Sequence, residues 1–161
     1  MGETIDTVKA SVLHGVKDLK IVSSANACLK IVRSPLQEHR SLGPPGPSEV
    51  QVAVKATGLC GSDLHYFNHY RNGDIIVREP LTLGHESSGV IAAVGSEVTN
   101  VKVGDRVALE VGLPCLECEF CTSGRYNICK ALIFRSSAKS FPHFQGTLQE
   151  RINHPAAYCH K

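Results

Sequence analysis

The fold class this sequence predicts is a mainly-β barrel or sandwich with short helical turns, and three observations predict it. Val50, Val52, Val54 and Ala56 alternate with Gln51, Ala53 and Lys55, the period of a half-buried strand. "GHESSGVIAAVG" from Gly84 and "VKVGDRVALEVG" from Val101 give two further β segments, rich in Val and Ile and punctuated by Gly and Gly-Asp turns. Few stretches show a 3.6-residue period, and the best helix candidate is short, Ser62–Asn68 after the Gly61 turn. Hydrophobic residues make up 42% of the chain, enough for a core, and charged residues 20%, too few for a disordered chain.

The remaining elements follow in order. Thr7–Val22 predicts a strand, a turn at His14-Gly15 and a second strand. The pattern decays from Ser23 to Pro47, and "GPPGP" at Gly43–Pro47 is a clear break. "GTLQERI", Gly146–Ile152, predicts a late strand, and Cys159 is expected in another as a core thiol. His14 falls in a turn; His39, His69, His143, His154 and His160 lie in polar stretches where a solvated role is expected.

Several function classes are disfavoured at once. The 161 residues suit one domain. The N-terminus shows no basic stretch leading into an apolar run, and no run approaches the length of a transmembrane helix, so an intracellular, cytoplasmic chain with reduced thiols is expected. A net charge of +2 with scattered Lys and Arg gives no electrostatic case for nucleic acid or a membrane surface. Seven cysteines is an odd number, which does not suit a closed disulfide framework.

Four of those cysteines stand in "LPCLECEFCTSGRYNIC", at Cys115, Cys118, Cys121 and Cys129. This spacing puts three sulfurs on one tight loop and brings the fourth back over it, which suits tetrahedral zinc with four thiolates. The competing reading, a thioredoxin-like redox pair, leaves two cysteines unexplained. Four thiolates leave no open position, so this zinc is expected to be structural. Elsewhere, Cys60 in "GLCGSDLH" and His85-Glu86 in "LGHESSGV" offer three mixed ligands from two loops, the pattern of a catalytic zinc with an open position. Taken alone each half is weak: a Cys beside Gly is more often packing, and a His-Glu pair is more often a solvated turn.

Together these residues resemble a known family. Gly84-His85-Glu86, Gly89, Gly95 and Val98 match the signature of zinc-containing medium-chain alcohol dehydrogenases, with "GLCGSDLHYF" before and the four-cysteine lobe after in the family's order. "CGSDLHYFNHYRNGDIIVREPLTLGHESSGV" is most similar to fungal sorbitol and xylitol (polyol) dehydrogenases. The resemblance implies a GroES-like β domain over residues 1–161 and up to two zinc ions. It implies Cys60 and His85 as catalytic-zinc ligands, with Glu86 as a third ligand or a close carboxylate, and Cys115, Cys118, Cys121 and Cys129 around a structural zinc in a lobe at 113–130. Ser62 would bind the substrate hydroxyl and start a proton relay with His65 as a later member, and Tyr66 and Phe134 would line a polyol pocket. NAD is the implied hydride acceptor, and full-length family members are oligomers.

The sequence also departs from the family. No G-x-G-x-x-G occurs, so no residue of this chain is expected to bind the cofactor, and the nucleotide-binding (Rossmann) half is expected to be missing. Residues 23–41 read as an insertion, with "LKIV" at Leu19–Val22 and again at Leu29–Val32. The expected function is therefore the catalytic-domain portion of a zinc- and NAD-dependent polyol dehydrogenase, inactive as an isolated fragment. The rival readings are a non-enzymatic zinc-stabilised β module and a fragment of a general zinc alcohol dehydrogenase.

Overall fold

The structure is a computed structural model that describes residues 6–22 and 40–161. The expected insertion, Cys28 and His39 lie outside the described residues, apart from Arg40 and Ser41, which belong to the strand Arg40–Leu42 paired with Asp6–Val8.

The predicted alternation at Val50 becomes the strand Glu49–Gly58, the spine of a five-stranded antiparallel sheet. Its order is Arg151–Pro155, Glu49–Gly58, Glu86–Val94, Arg106–Leu109, Cys159–His160. Val50, Val52, Ile91, Val107, Leu109, Ile152 and Cys159 form its core, which bears out the core-thiol reading of Cys159. The alternation fades towards Gly58: Val54 is half-buried and Ala56 exposed. A bulge between Val54 and Ala56 shifts the pairing there and bends the strand out of the core. A second, three-stranded sheet joins Asp18–Val22, Ala10–Gly15 and Leu81–Thr82. Its core contains Leu13, Leu81 and Leu83, packed with Tyr66 from the helix Gly61–His69. The mainly-β class and the short helix are as the sequence predicts.

Three expectations are corrected. The first hairpin turns at Val16-Lys17, because His14 and Gly15 belong to the strand, with a bulge between Leu13 and Gly15. The late strand begins at Arg151; Gly146–Glu150 instead bonds as a loop to Leu83 and Gly84, with Leu148 N–H donating to the Leu83 carbonyl. His143 and His154 are buried, at 4% and 0% exposure, with both ring nitrogens of His143 and Nδ1 of His154 hydrogen-bonded within the fold. The His143 ring donates through Nδ1 to the Ser140 carbonyl and accepts the Arg78 N–H at Nε2.

His154 belongs to a buried network that sequence pattern does not display. Arg135, 5% exposed, donates through Nε to His154 Nδ1 at 3.1 Å and through its terminal nitrogens to the carbonyls of Gln145 and Asn153. Its guanidinium also lies 4.5 Å from the Phe144 ring centroid. Three acceptors and an aromatic face compensate for the desolvation of the charge, although burial still lowers the Arg135 pKa to about 10. Burial first, and the neighbouring guanidinium second, hold the His154 pKa down to about 3.

That depression fixes a pH dependence. Between the ordinary histidine value near 6.5 and about 3, the unfolded chain takes up a proton that folded His154 refuses. Stability should therefore fall as pH falls through that window, by up to about 1.4 kcal/mol per pH unit from this group. Urea melts of the chain and of His154→Gln at pH 7, 6, 5 and 4 check this. The variant should show the shallower slope.

Candidate metal centres

Strand pairing assembles the first site. Gly58, at the end of one strand, stands opposite Glu86, at the start of the next. The chain continues past Gly58 to Cys60, the N-cap of the helix Gly61–His69, while His85 immediately precedes Glu86. The ligand atoms of Cys60, His85 and Glu86 consequently lie within 4.8 Å of one another. Two glycines make room for this. A Cβ on Gly58 would stand 2.7 Å from Glu86 Oε2. Gly84 has φ +84°, and a Cβ there would meet Thr57 Cγ2 at 2.5 Å, so the backbone can turn His85 inward only at a glycine.

The side chains differ in access. His85 is 6% exposed, Cys60 is half-buried and Glu86 is exposed, so the trio faces outward through the carboxylate. The buried side of His85 meets Asp63. The Asp63 Oδ1 atom lies 3.6 Å from His85 Nδ1, a nitrogen that is buried and makes no hydrogen bond. The same carboxylate accepts Cys60 N–H at 3.0 Å through Oδ2, and Gly84 N–H at 3.0 Å and the Ser136 hydroxyl at 3.2 Å through Oδ1. A metal-binding histidine commonly turns its second ring nitrogen towards a carboxylate in this way. With Nδ1 on the Asp63 side, Nε2 is the nitrogen left to ligate. One thiolate, one imidazole and one carboxylate fit zinc with an open position.

The predicted residues fall unequally around this trio. Ser62 is half-buried on the first turn of the helix, and among the described residues its hydroxyl makes no hydrogen bond. His65 is exposed one turn later, its ring 6.1 Å from that of His69. The Phe134 ring lies 5.2 Å from His85, beside the site. Tyr66 does not line an open cleft: it is 3% exposed, packs in the core and accepts the Ala138 N–H at its hydroxyl. Its helical position three residues after Asp63 turns it to the buried face. Asp63 was missed in sequence, although an acidic residue three positions after a helix N-cap is a readable signal.

The second site is closed. Cys115, Cys118, Cys121 and Cys129 are free thiols with sulfur–sulfur separations of 3.4 Å (118–121), 3.5 Å (115–129), 3.8 Å (118–129) and 3.9 Å (115–121). A tetrahedron with zinc–sulfur bonds of about 2.3 Å has edges of about 3.8 Å, whereas a disulfide requires about 2.05 Å. The four sulfurs therefore fit zinc and fit no disulfide. The backbone N–H groups of Glu117 and Cys118 lower the Cys115 pKa to about 7. Burial, followed by the neighbouring thiols, raises that of Cys121 to about 12. A bound cation would remove that mutual conflict by holding all four as thiolates.

The comparisons with known proteins agree with this geometry. The family model described as the alcohol dehydrogenase GroES-like domain matches residues 46–161, and the chain belongs to that family. Probable D-xylulose reductase A of Aspergillus clavatus is 50% identical over 115 residues, 71% of this chain and 31% of that protein. L-arabinitol 4-dehydrogenase of Aureobasidium melanogenum is also 50% identical over 115 residues, 71% of this chain and 30% of that protein. An oxidoreductase/dehydrogenase of unknown specificity involved in membrane biogenesis from Escherichia coli shares the fold with a TM-score of 0.78. It is 30% identical, over 97% of this chain and 40% of that one. The chain thus spans 31% of the length of the first of these curated relatives. No helix among the described residues is long and apolar enough to cross a membrane.

Two outcomes follow from the two site geometries. Cys129→Ser breaks the closed set and should lower the melting temperature far more than Cys60→Ser, which removes one ligand of an outward-facing trio. Paired melting curves and zinc analysis after graded chelation check this, and equal losses would contradict the division. Asp63→Asn should weaken metal binding at the Cys60 trio by about 10- to 100-fold while leaving the four-cysteine site loaded.

Proposed function

We propose that this chain is the substrate- and zinc-binding part of an oxidoreductase that converts a secondary hydroxyl of a polyol to a ketone, with NAD as hydride acceptor. The observation that carries the reading is the outward-facing trio of Cys60, His85 and Glu86, distinct from a closed four-sulfur site on the same chain. The polyol class is supported by the 50% identity to proteins described as a D-xylulose reductase and an L-arabinitol dehydrogenase.

In this reading Cys60, His85 and Glu86 hold zinc, which when bound polarises a hydroxyl and lowers its pKa towards neutrality. Asp63 holds the start of the helix through the Cys60 N–H and faces His85 Nδ1, so it places both ligands relative to one another. Ser62 is two residues from Cys60 with an uncommitted hydroxyl, and it accepts the proton leaving the substrate while giving up its own. His65, exposed one turn further along the helix, passes that proton to solvent. Phe134 is the apolar wall against which the carbon chain lies, which orients the reacting C–H bond. NAD, when bound, would supply the hydride acceptor that lets the alcohol become a ketone. The 161 residues contain no G-x-G-x-x-G, so in this reading the nicotinamide is presented from outside them.

Cobalt substitution tests the proposal. The visible absorption of cobalt(II) in the Cys60 trio should change on titration with sorbitol or xylitol, and that change should vanish in Cys60→Ser. A spectrum unmoved by either polyol would count against the substrate class. In the same samples, calorimetry should detect no micromolar NAD binding and absorbance at 340 nm no turnover by the 161 residues alone.

A further inference from the structure

Backbone conformation singles out a residue that the chemistry above does not use. Among the described residues, Lys17, Tyr70, Leu116 and Ser136 have positive φ without being glycine. Lys17 lies in the hairpin turn, Tyr70 caps the C-terminus of the helix Gly61–His69, and Leu116 belongs to the four-cysteine loop. Tight turns and helix C-caps call for this conformation. Ser136, at φ +60°, is the buried one, 3% exposed. A side chain there costs stability that a glycine would not, so a serine points to a use for its hydroxyl.

The hydroxyl donates to Asp63 Oδ1 at 3.2 Å. Other hydroxyls of the chain find backbone carbonyls: Thr122 that of Glu119, Ser123 that of Phe120 and Ser140 that of Pro142. Ser136 instead reaches a buried carboxylate, the one that accepts Cys60 N–H and faces His85 Nδ1. Its own segment is held independently. Phe134, two residues earlier, pairs with Gly112, and Ser136 N–H donates to the Phe144 carbonyl at 2.8 Å. The segment meets the helix Gly61–His69 again at Ala138, whose N–H donates to the Tyr66 hydroxyl at 3.3 Å, but Tyr66 packs in the core. Ser136 is thus the contact that joins the Phe134 wall to the support of the metal ligands.

We propose that Ser136 is a positioning residue: its hydroxyl ties the Phe134-bearing segment to the Asp63–His85 pair, so that the apolar wall and the metal ligands keep one geometry. This rests on the metal-site reading of Cys60, His85 and Glu86 and not on the identity of the substrate.

The test is a cobalt(II) titration of the Cys60 trio in the full chain with zinc at the four cysteines, read beside melting curves. Ser136→Gly and Ser136→Ala both remove the hydroxyl, but only alanine keeps a side chain at the left-handed position. Cobalt(II) binding should weaken about threefold to tenfold in both, less than in Asp63→Asn, because the hydroxyl acts through the carboxylate. The melting temperature should fall further in Ser136→Ala than in Ser136→Gly, so affinity follows the hydroxyl while stability follows the backbone. In an Asp63→Asn background the Ser136→Gly step should cost less than about twofold. The nuclear Overhauser contact between the Phe134 and His85 rings should weaken in Ser136→Gly. A Ser136→Gly chain that binds cobalt(II) as well as the unmodified chain, or keeps the ring contact at full strength, would overturn the role. Tighter binding would overturn it too, by showing that the hydroxyl competes with His85 for Oδ1, as would equal losses in both Asp63 backgrounds. An unmodified chain that takes up no cobalt(II) at the trio removes the metal-site reading and this proposal together.

Discussion

The Asp63 carboxylate is the constraint on which the open metal site depends. Its two oxygens hold the N–H of Cys60, the N–H of Gly84 and the hydroxyl of Ser136, and one of them faces His85 Nδ1. These partners come from three separate segments: a helix start, a strand-entry turn and a loop 73 residues further along. A buried carboxylate is costly unless its lone pairs are used, and here the partners that satisfy it are the backbone of the ligand-bearing segments. Stability and ligand placement thus have one cause. The helix N-terminus adds to it, because an acidic group in the first turn complements the helix dipole.

The two metal sites differ in how far apart in sequence their ligands lie. Cys115 to Cys129 is one local loop, which can close around a cation before much else is folded. Cys60, His85 and Glu86 meet only after Glu49–Gly58 pairs with Glu86–Val94, so their geometry is a consequence of the sheet. A local, closed site tolerates four like charges because the ion dominates. A long-range site that keeps an open position needs a rigid frame, which the sheet and Asp63 supply.

Local information was therefore the legible part. The strand at Val50, the short helix after Gly61 and the four-cysteine set could be read from period and spacing, because each signal is local, whereas the Cys60, His85 and Glu86 set needed the family resemblance to join its two halves. What escaped was non-local. His143 and His154 sit in polar stretches, and polarity predicts solvent; their burial brings His143 to the Arg78 N–H, 65 residues away, and His154 to the Arg135 side chain, 19 residues away. The family resemblance implied Tyr66 as a pocket residue, but helical geometry turns it to the core. Gly146–Glu150 has strand-like composition, yet its donors go to Thr82, Leu83 and Gly84 in the turn that carries His85, so it supports the site as a loop.

A short ribbon runs from the closed site to the open one. Gly112–Leu113 pairs with Ile133–Phe134, two residues on each side, which is too little to hold itself in water. Cys115 follows one strand by two residues and Cys129 precedes the other by four, so the four-sulfur loop is the clasp that keeps the ribbon closed. The ribbon ends at Phe134, the ring beside His85. Arg135 comes next, and its buried hydrogen bonds to Gln145, Asn153 and His154 fix the far side. Phe134 is thus a partly exposed apolar wall held between a metal clasp and a buried guanidinium. Cys60, His85 and Asp63 stand on other elements, so opening the clasp should loosen that wall more than the ligands. In the reading proposed above, the four-sulfur loop thus bears on the wall beside the open site rather than on that site's ligands.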